Sequence, residues 1–364
     1  MDLAKAFDTI DHNILLQNVN RLGINGTAHN LLSSYLKNRK QHVRINNELS
    51  EVTSIICGVP QGTTLSPTLF NIHINQINYL NTHGKLVCYA DDTVLFVEGQ
   101  SWDEVFASVQ SDMSKIQKWL CENNLSLNLE KTNILPHYIV NSNQPNKINL
   151  CIHENACLNQ DKCTCHTFVK LVKNCKYLGI EMCHNLKWND HIKFVTNKLR
   201  KLMYAFKSLT DILDLKTIRV VYQALIESII NYGISIWGGT YDTTIDPLKK
   251  VQNKILKIIL KKDSRYHTKH LYKDMNVLPV KQLFYKASVL YIIKNNLTFN
   301  TEHEHNTRQI SNIKVPTMHT KLTQSTYLYI GPKIYNILPL EIKQCNSFKI
   351  LKKKLHFGYY KNKI

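Results

Sequence analysis

No stretch of this sequence approaches the run of about 18 apolar residues that a bilayer-spanning helix needs, and its first residues lack the basic-then-apolar pattern of a secretory signal. The expectation is an intracellular protein, in nucleus or cytoplasm, with no membrane partner. Paired C-x₂-C spacing is also missing, although there are 10 Cys. In a chain without a secretory signal, scattered cysteines read as reduced thiols rather than as a disulfide framework. No internal repeat is evident, which sets aside solenoids and propellers. Acidic residues are scarce: 27 Asp and Glu stand against 46 Lys and Arg, a formal charge of +19. That excess favours a polyanionic partner, with nucleic acid ahead of an acidic membrane surface. The basic cluster "LKKKLH" near the end is compatible with a nuclear address.

What is present is enough apolar material, 43% over 364 residues, for cores in two or three units. Residues 1 to about 135 alternate helical and strand patterns, as expected of an α+β layer with an antiparallel sheet and helices on one face. "KAFDTIDHNILLQNVNRLGI" carries apolar residues at helical spacing and stops at "GING". On that helix Asp8 and Asp11 would be first-turn partners of the dipole. "HVRINNELSEVTSII" predicts two short strands around an Asn-Asn turn, and "CGVPQGTTLSPTLFNIHINQIN" a punctuated loop entering an apolar helix through Leu69, Phe70 and Ile74. "KLVCYADDTVLFVEG" predicts a hairpin, Leu86 to Tyr89 and Val94 to Val97, with Asp91 and Asp92 at its tip. Val105, Val109, Met113, Ile116 and Leu120 predict an amphipathic helix from Trp102 to Asn124.

From Asp190 the pattern is helical, with Ile192, Val195, Leu199, Leu202, Phe206 and Leu209 on one face. Two further helical runs are expected, Leu215 to Trp237 and Pro247 to Lys262. Over residues 186–262 basic side chains outnumber acidic ones more than two to one.

An acidic pair at a hairpin tip is by itself most often a polar turn. Here "DLAKAFDTIDH", "GVPQGTTLSPTLFNIHIN", "YADDTVLF", "LSLNLEKTNIL" and "KYLGI" follow in this order. These segments resemble motifs A to E of the reverse transcriptases of non-LTR retrotransposons of the jockey-like type. "NYGISIWGG" and "YIGPKIYNILPLEIKQCNSFKILKKKL" resemble the carboxyl segments of the same elements and disfavour an intron maturase. The resemblance implies a right-hand polymerase: a palm over 1–135, a Cys-rich connection over 136–185 containing motif E, a helical thumb over 186–262 and a helical C-terminal region over 263–364. It implies an RNA template, a DNA primer, deoxynucleoside triphosphates and two Mg²⁺ ions, Mn²⁺ being an alternative, with two-metal nucleotidyl transfer to the primer 3′-hydroxyl. Oligomeric state is left open.

Carried over by motif, Asp2, Asp91 and Asp92 are the metal ligands, since Mg²⁺ takes hard oxygen donors. Lys131 of motif D would protonate or neutralise pyrophosphate, against the plainer reading of a solvated surface lysine. Phe7, five residues after Asp2, holds the position of the aromatic gate against the ribose 2′-hydroxyl and equally reads as a core residue of the following helix. Gly58, Pro60, Gln61 and Gly62 would lie by template and incoming nucleotide. Lys193, Lys198, Arg200 and Lys201 would contact duplex phosphates. The stretch with Cys151, His153, Cys157, Cys163, Cys165 and His166 invites a zinc reading, but its spacing departs from known zinc patterns, so reduced thiols in an irregular hairpin are expected.

The family carries a fingers region ahead of motif A, and its jockey-like members often an endonuclease further upstream. The expectation is therefore a carboxyl-terminal part of a longer element protein, fingers missing, with Asp2 on a strand of no length and activity weak or lost. A non-catalytic nucleic-acid-binding remnant is the alternative.

Overall fold

A computed structural model describes residues 1–138, 145, 150–153, 166–295, 312–343, 345 and 347–361. They fall into two compact units, Met1–Leu178 and Gly179–Ile364.

Unit 1 mixes helices with small ladders. In order it contains α1 (His12–Arg21), α2 (Gly26–Leu36), β1 (Lys40–Gln41), β2 (Arg44–Ile45), β3 (Glu48–Leu49), β4 (Thr53–Ser54), α3 (Ser66–Ile74), β5 (Lys85–Tyr89), β6 (Asp92–Phe96), α4 (Trp102–Glu122), β7 (Asn133–Ile134), β8 (Cys151–His153), β9 (His166–Phe168), β10 (Lys170–Leu171) and β11 (Asn174–Tyr177). Among the described residues the ladders are two-stranded, and β7–β10 is parallel. The strands are two to five residues long, and beside their ladders single bridges join Asp2 to Asp92, Leu3 to Leu127 and Asp11 to Cys57.

The expected helix directly after motif A is corrected. Residues 4–9 form turns, with Lys5 at φ +48°, and Asp11 is the N-cap of α1, its carboxylate accepting from the backbone N–H of Asn13 and Ile14. A capping Asp ends the non-helical segment where its oxygen meets the orphan amides, so neither Asp8 nor Asp11 is a first-turn residue. The Asn-Asn turn forms between β2 and β3, with Asn46 at φ +54°. α4 starts at Trp102 as the spacing predicts. Ser101 accepts from Glu104 N while the Glu104 carboxylate accepts from Gln100 N, a near-reciprocal cap. Its buried stripe, Met113, Ile116 and Leu120, joins Leu3, Ile10, Leu15, Val19, Leu69 and Phe70 in one core.

One acid sits on that buried stripe. Asp112 is wholly buried and accepts from His83 N (2.9 Å), Gly84 N (2.8 Å) and the His83 ring (Nδ1, 2.9 Å). Burial alone would push its carboxyl up, but these donors prevail and hold it below the ordinary value of 3.8. The contact pins the root of the β5–β6 hairpin to the middle of α4.

Unit 2 contains β12 (Ile180–Cys183), α5 (Asn189–Leu209), α6 (Leu215–Tyr222), a π turn (Gln223–Glu227), α7 (Ser228–Asn231), α8 (Ile234–Trp237), α9 (Asp242–Ile259), α10 (Thr268–Met275), α11 (Val280–Lys294), α12 (Lys321–Gln324), α13 (Tyr327–Ile337), α14 (Leu340–Lys343) and α15 (Phe348–Lys361). The expected run from Leu215 to Trp237 is broken: Tyr232 is extended and Gly233 turns left-handed at φ +62°, where a Cβ would strike Ile180. α9 begins at Asp242, so Pro247 lies inside the helix rather than opening it. α5 packs on α9 through Ile192, Val195, Leu199 and Phe206 against Leu248, Val251, Ile255 and Ile259 within one large core. Gln252, also wholly buried, satisfies its amide completely: Nε2 donates to Tyr222 OH and Leu278 O, while Oε1 accepts from Tyr272 OH and Val280 N. A smaller core of Val289, Leu338, Ile342, Leu351 and Leu355 joins α11 to α14 and α15.

Replacing Asp112 by Ala removes the buried acceptor of two partly buried amides, and a loss of about 2 kcal/mol is expected in urea denaturation at neutral pH. Because the folded carboxyl lies below its unfolded value, its contribution is complete above that value and disappears as pH falls through the folded one. The gap between wild type and Asp112→Ala should therefore narrow in acid.

Candidate active site

The Asp2 segment is held on both sides. Thr93 N donates to Met1 O (3.0 Å), Asn128 N to Asp2 O (2.8 Å), and Ala4 N to Ser126 O (2.9 Å). Single antiparallel bridges thus join Asp2 to Asp92 and Leu3 to Leu127. Asp2 lies outside any named strand, as expected of a segment without length, and bonds to two neighbours hold it instead, with Leu3 buried beneath them.

The register of β5–β6 opposes Tyr89 to Asp92, which leaves Ala90 and Asp91 as a two-residue turn. Ala90 is left-handed at φ +51°, a conformation that costs a non-glycine residue energy and gives the hairpin tip one shape. Asp2, Asp91 and Asp92 are all half-buried. Desolvation, followed by the charges of Asp91 and Asp2, raises the Asp92 carboxyl above its ordinary range, against the opposing pull of the Met1 amine and Lys131. Lys131 Nζ lies 3.3 Å from Asp2 Oδ2 with its side chain largely exposed. Four of the residues chosen from the motifs therefore meet: Asp2, Asp91, Asp92 and Lys131. Among the described residues no three His, Cys, Asp or Glu side chains converge on one point as a metal site. Carboxylate oxygens are the donors that a hard divalent cation takes, and Asp2, Asp91 and Asp92 supply them here, while Lys131 competes for Asp2.

Tyr177 on β11 joins this neighbourhood. Its phenol is raised by burial and then by the charges of Asp92 and Cys88. Nothing local in "KYLGI" points to that proximity.

The "GVPQG" loop closes on the segment after Asp2 instead of on the carboxylates. Gly58 N donates to Ile10 O (2.8 Å) and Val59 N to Phe7 O (2.8 Å), while His12 Nε2 donates to Gly58 O (2.7 Å). Gln61 Nε2 donates to Asp8 Oδ1 (2.9 Å), so an acid expected on a helix surface instead tethers the exposed Gln61. Pro60 O accepts from the Thr63 and Ser66 hydroxyls, shaping the entry to α3. Phe7 lies in a turn, which removes the reading as a helix residue; its half-buried ring stacks on Phe70 at 4.4 Å between centroids. His12 and Asp8 are the residues that motif reasoning passed over.

In unit 2, Lys193, Lys198, Arg200 and Lys201 are all exposed on α5. Lys198 Nζ sits 4.9 Å over the Phe194 ring, and Arg200 donates to Asn197 Oδ1 (3.3 Å). Of the zinc candidates, Cys157, Cys163 and Cys165 lie outside the described residues. Cys151 is a half-buried thiol pushed up by burial, and His153 stands opposite His166 in the β8–β9 register.

Residues 1–182, half of the chain, match the family described as "Reverse transcriptase (RNA-dependent DNA polymerase)". The chain belongs to the reverse transcriptase family. Among curated relatives, the chain is 26% identical over 294 residues to the probable RNA-directed DNA polymerase from transposon BS of Drosophila melanogaster, covering 78% of this chain and 31% of that one. It is 24% identical over 298 residues to the corresponding X-element protein (80% and 31%) and 24% over 287 residues to that of the mobile element jockey (76% and 30%), both from the same fly. The chain thus spans about a third of the length of these relatives, and the matches support a jockey-like element of the non-LTR class. No helix among the described residues is long and apolar enough to cross a membrane.

Two glycines of the loop separate strain from contact. Gly58 is at φ +83°, and a Cβ there would lie 2.7 Å from Asp8 O; Gly62 is at φ +80° in open space. Gly62→Ala should cost about 1 kcal/mol of strain, and Gly58→Ala about 3 kcal/mol or more, since backbone must move as well. Thermal denaturation of the two variants checks the order.

Proposed function

We propose that this chain is the polymerase region of a non-LTR retrotransposon reverse transcriptase, joining deoxynucleotides to a DNA primer 3′-hydroxyl on an RNA template. The observation that carries the reading is the backbone pairing of Asp2 with Asp92 beside the Ala90–Asp91 turn, with Lys131 on Asp2. In this reading residues 1–135 act as palm, 136–185 as connection, 186–262 as thumb and 263–364 as a helical C-terminal region.

Asp2 and Asp91 are the principal ligands of a metal pair, Mg²⁺ or Mn²⁺, and Asp92 completes the set. Bound there, such ions supply activation of the attacking hydroxyl and charge stabilisation on the triphosphate. Lys131, whose Nζ lies 3.3 Å from Asp2 Oδ2, delivers charge, or a proton, to the departing pyrophosphate. The stacking of Phe7 on Phe70 gives the ring a fixed plane from which to exclude a ribose 2′-hydroxyl. Gly58 and Pro60 fix the loop that offers Gln61 and Gly62 to template and nucleotide. Lys193, Lys198, Arg200 and Lys201 grip duplex phosphates with little regard for sequence.

A second reading, nucleic-acid binding without catalysis, draws on the lack of a three-ligand convergence among the described residues. Primer extension on an RNA template separates the two. The polymerase reading expects divalent-ion-dependent extension that falls about 10²-fold or more in Asp91→Asn while duplex binding is kept. Binding with no extension by the wild-type chain supports the second reading instead. Phe7→Ala should raise ribonucleotide incorporation relative to deoxynucleotide on the same template.

A further inference from the structure

The segment after Asp2 and the "GVPQG" loop are joined along a seam with Asp8 in its middle. Besides the backbone bonds from Gly58 to Ile10 and from Val59 to Phe7, the Cys57 thiol donates to Asp8 O (3.3 Å), and the buried His12 ring donates to Gly58 O. The approach is close enough that a Cβ on Gly58 would lie 2.7 Å from Asp8 O. Both backbones are therefore fixed to each other before any exposed side chain is considered.

On that base Gln61 Nε2 donates to Asp8 Oδ1 at 2.9 Å, across 53 residues of chain. The chain has 46 Lys and Arg against 27 Asp and Glu, yet among the described residues Asp8 forms no ion pair. Its carboxylate is taken by an amide instead. An ionised carboxylate accepts and does not donate, so this contact decides which way the Gln61 amide faces: nitrogen toward Asp8, Oε1 on the far side. Gln61 is exposed, and among the described residues Oε1 has no partner. A free Gln amide turns broadly about χ3 and offers nitrogen or oxygen alike. Tied to Asp8, it offers an acceptor. Because the two backbones are already held, little ordering entropy opposes the bond despite its exposure. Asp8 also directly follows Phe7, whose carbonyl takes Val59 N, so the acceptor and the Phe7 ring are held in one frame.

We propose that Asp8 is a positioning residue for substrate selection: it holds the Gln61 amide with Oε1 outward, so that the loop recognises a hydrogen-bond donor on the incoming nucleotide or on the template. The consequence for selection rests on the polymerase reading; the orientation of the amide does not.

Two measurements on the full chain test this. Side-chain amide NMR of the chain labelled with ¹⁵N-glutamine reads the contact without nucleic acid, the Gln61 signal being assigned by its loss in Gln61→Ala. That signal is expected to move to the position of a free amide in Asp8→Ala and to stay in Asp8→Asn, whose Oδ1 still accepts. Primer extension reads the use of the contact. Asp8→Ala is expected to raise the nucleotide KM about fivefold if the donor is on the nucleotide, or to weaken template–primer binding about fivefold if it is on the template, with kcat within about twofold. Asp8→Asn should restore wild-type behaviour. In a Gln61→Ala background Asp8→Ala should add nothing, because Asp8 acts through that side chain alone. Both side chains are exposed, so unchanged thermal melting should accompany these losses. A Gln61 signal indifferent to Asp8→Ala, no rescue by Asp8→Asn, or the same loss with and without Gln61 would each overturn the proposal. No extension by the wild-type chain, with the Gln61 signal still governed by Asp8, would remove the polymerase reading and support the orientation of the amide.

Discussion

A single backbone bridge sets Asp2 beside Asp92 next to the Ala90–Asp91 turn, and the nearness of these carboxylates rests on it. In water an acidic pair at a turn relaxes by turning its side chains outward. Here Met1 is tied to Thr93 on one side and Asp2 to Asn128 on the other, so the acid cannot leave without breaking pairing on two fronts. The hairpin that carries the others is pinned at its root by Asp112 and bent at its tip by a left-handed Ala90. Burial first, and then the charges of Asp91 and Asp2, push the Asp92 carboxyl up. Lys131 relieves part of it, and a hard cation would relieve more.

The constraint explains which residues were readable in the chain. The hairpin, its acidic tip and the α4 stripe are local patterns, with strand runs around a two-residue turn and apolar side chains every three or four positions, so short-range physics suffices for them. The pairing of Asp2 with residues 92 and 128 is not local, and a segment of three residues has no periodicity to read. From letters alone it looked unsupported. Asp112 was hidden for a different reason. It stands beside Met113 on the apolar stripe of α4, where an acid reads as a boundary of the polar face, and its partners are backbone amides that no sequence pattern names. His12 and Asp8 were missed in the same way: one bonds a carbonyl 46 residues on, the other a side chain 53 residues on.

Helical bounds failed where capping overrode periodicity. Apolar spacing ran straight through Asp8 and Asp11, but the Asp11 carboxylate takes the amides of Asn13 and Ile14 and moves the helix start to His12. That shift matters for the site, because it frees residues 4–11 to remain irregular and to receive the "GVPQG" loop edge-on. A helix over the same residues would have spent the carbonyls of Phe7 and Ile10 on its own ladder, leaving nothing for Val59 and Gly58 to bond.

Unit 2 solves the opposite problem, positive charge in excess. A helix has one face to bury, and α5 and α9 bury theirs against each other's cores, so their lysines must share what remains. The i, i+4, i+7 recurrence that fills the buried side with Ile, Val and Leu sets the same recurrence for Lys250, Lys254 and Lys257 on α9. Gln252 shows how closely this packing is determined: a wholly buried amide with every hydrogen bond met tolerates little sliding of α9 against α6, α10 and α11. A register held that firmly fixes Lys250 and Lys254 at their roots, and Lys250 reaches back one turn to pair with Asp246 at 2.8 Å. The carboxylates of unit 1 are held differently, by backbone bonds between segments far apart in the chain.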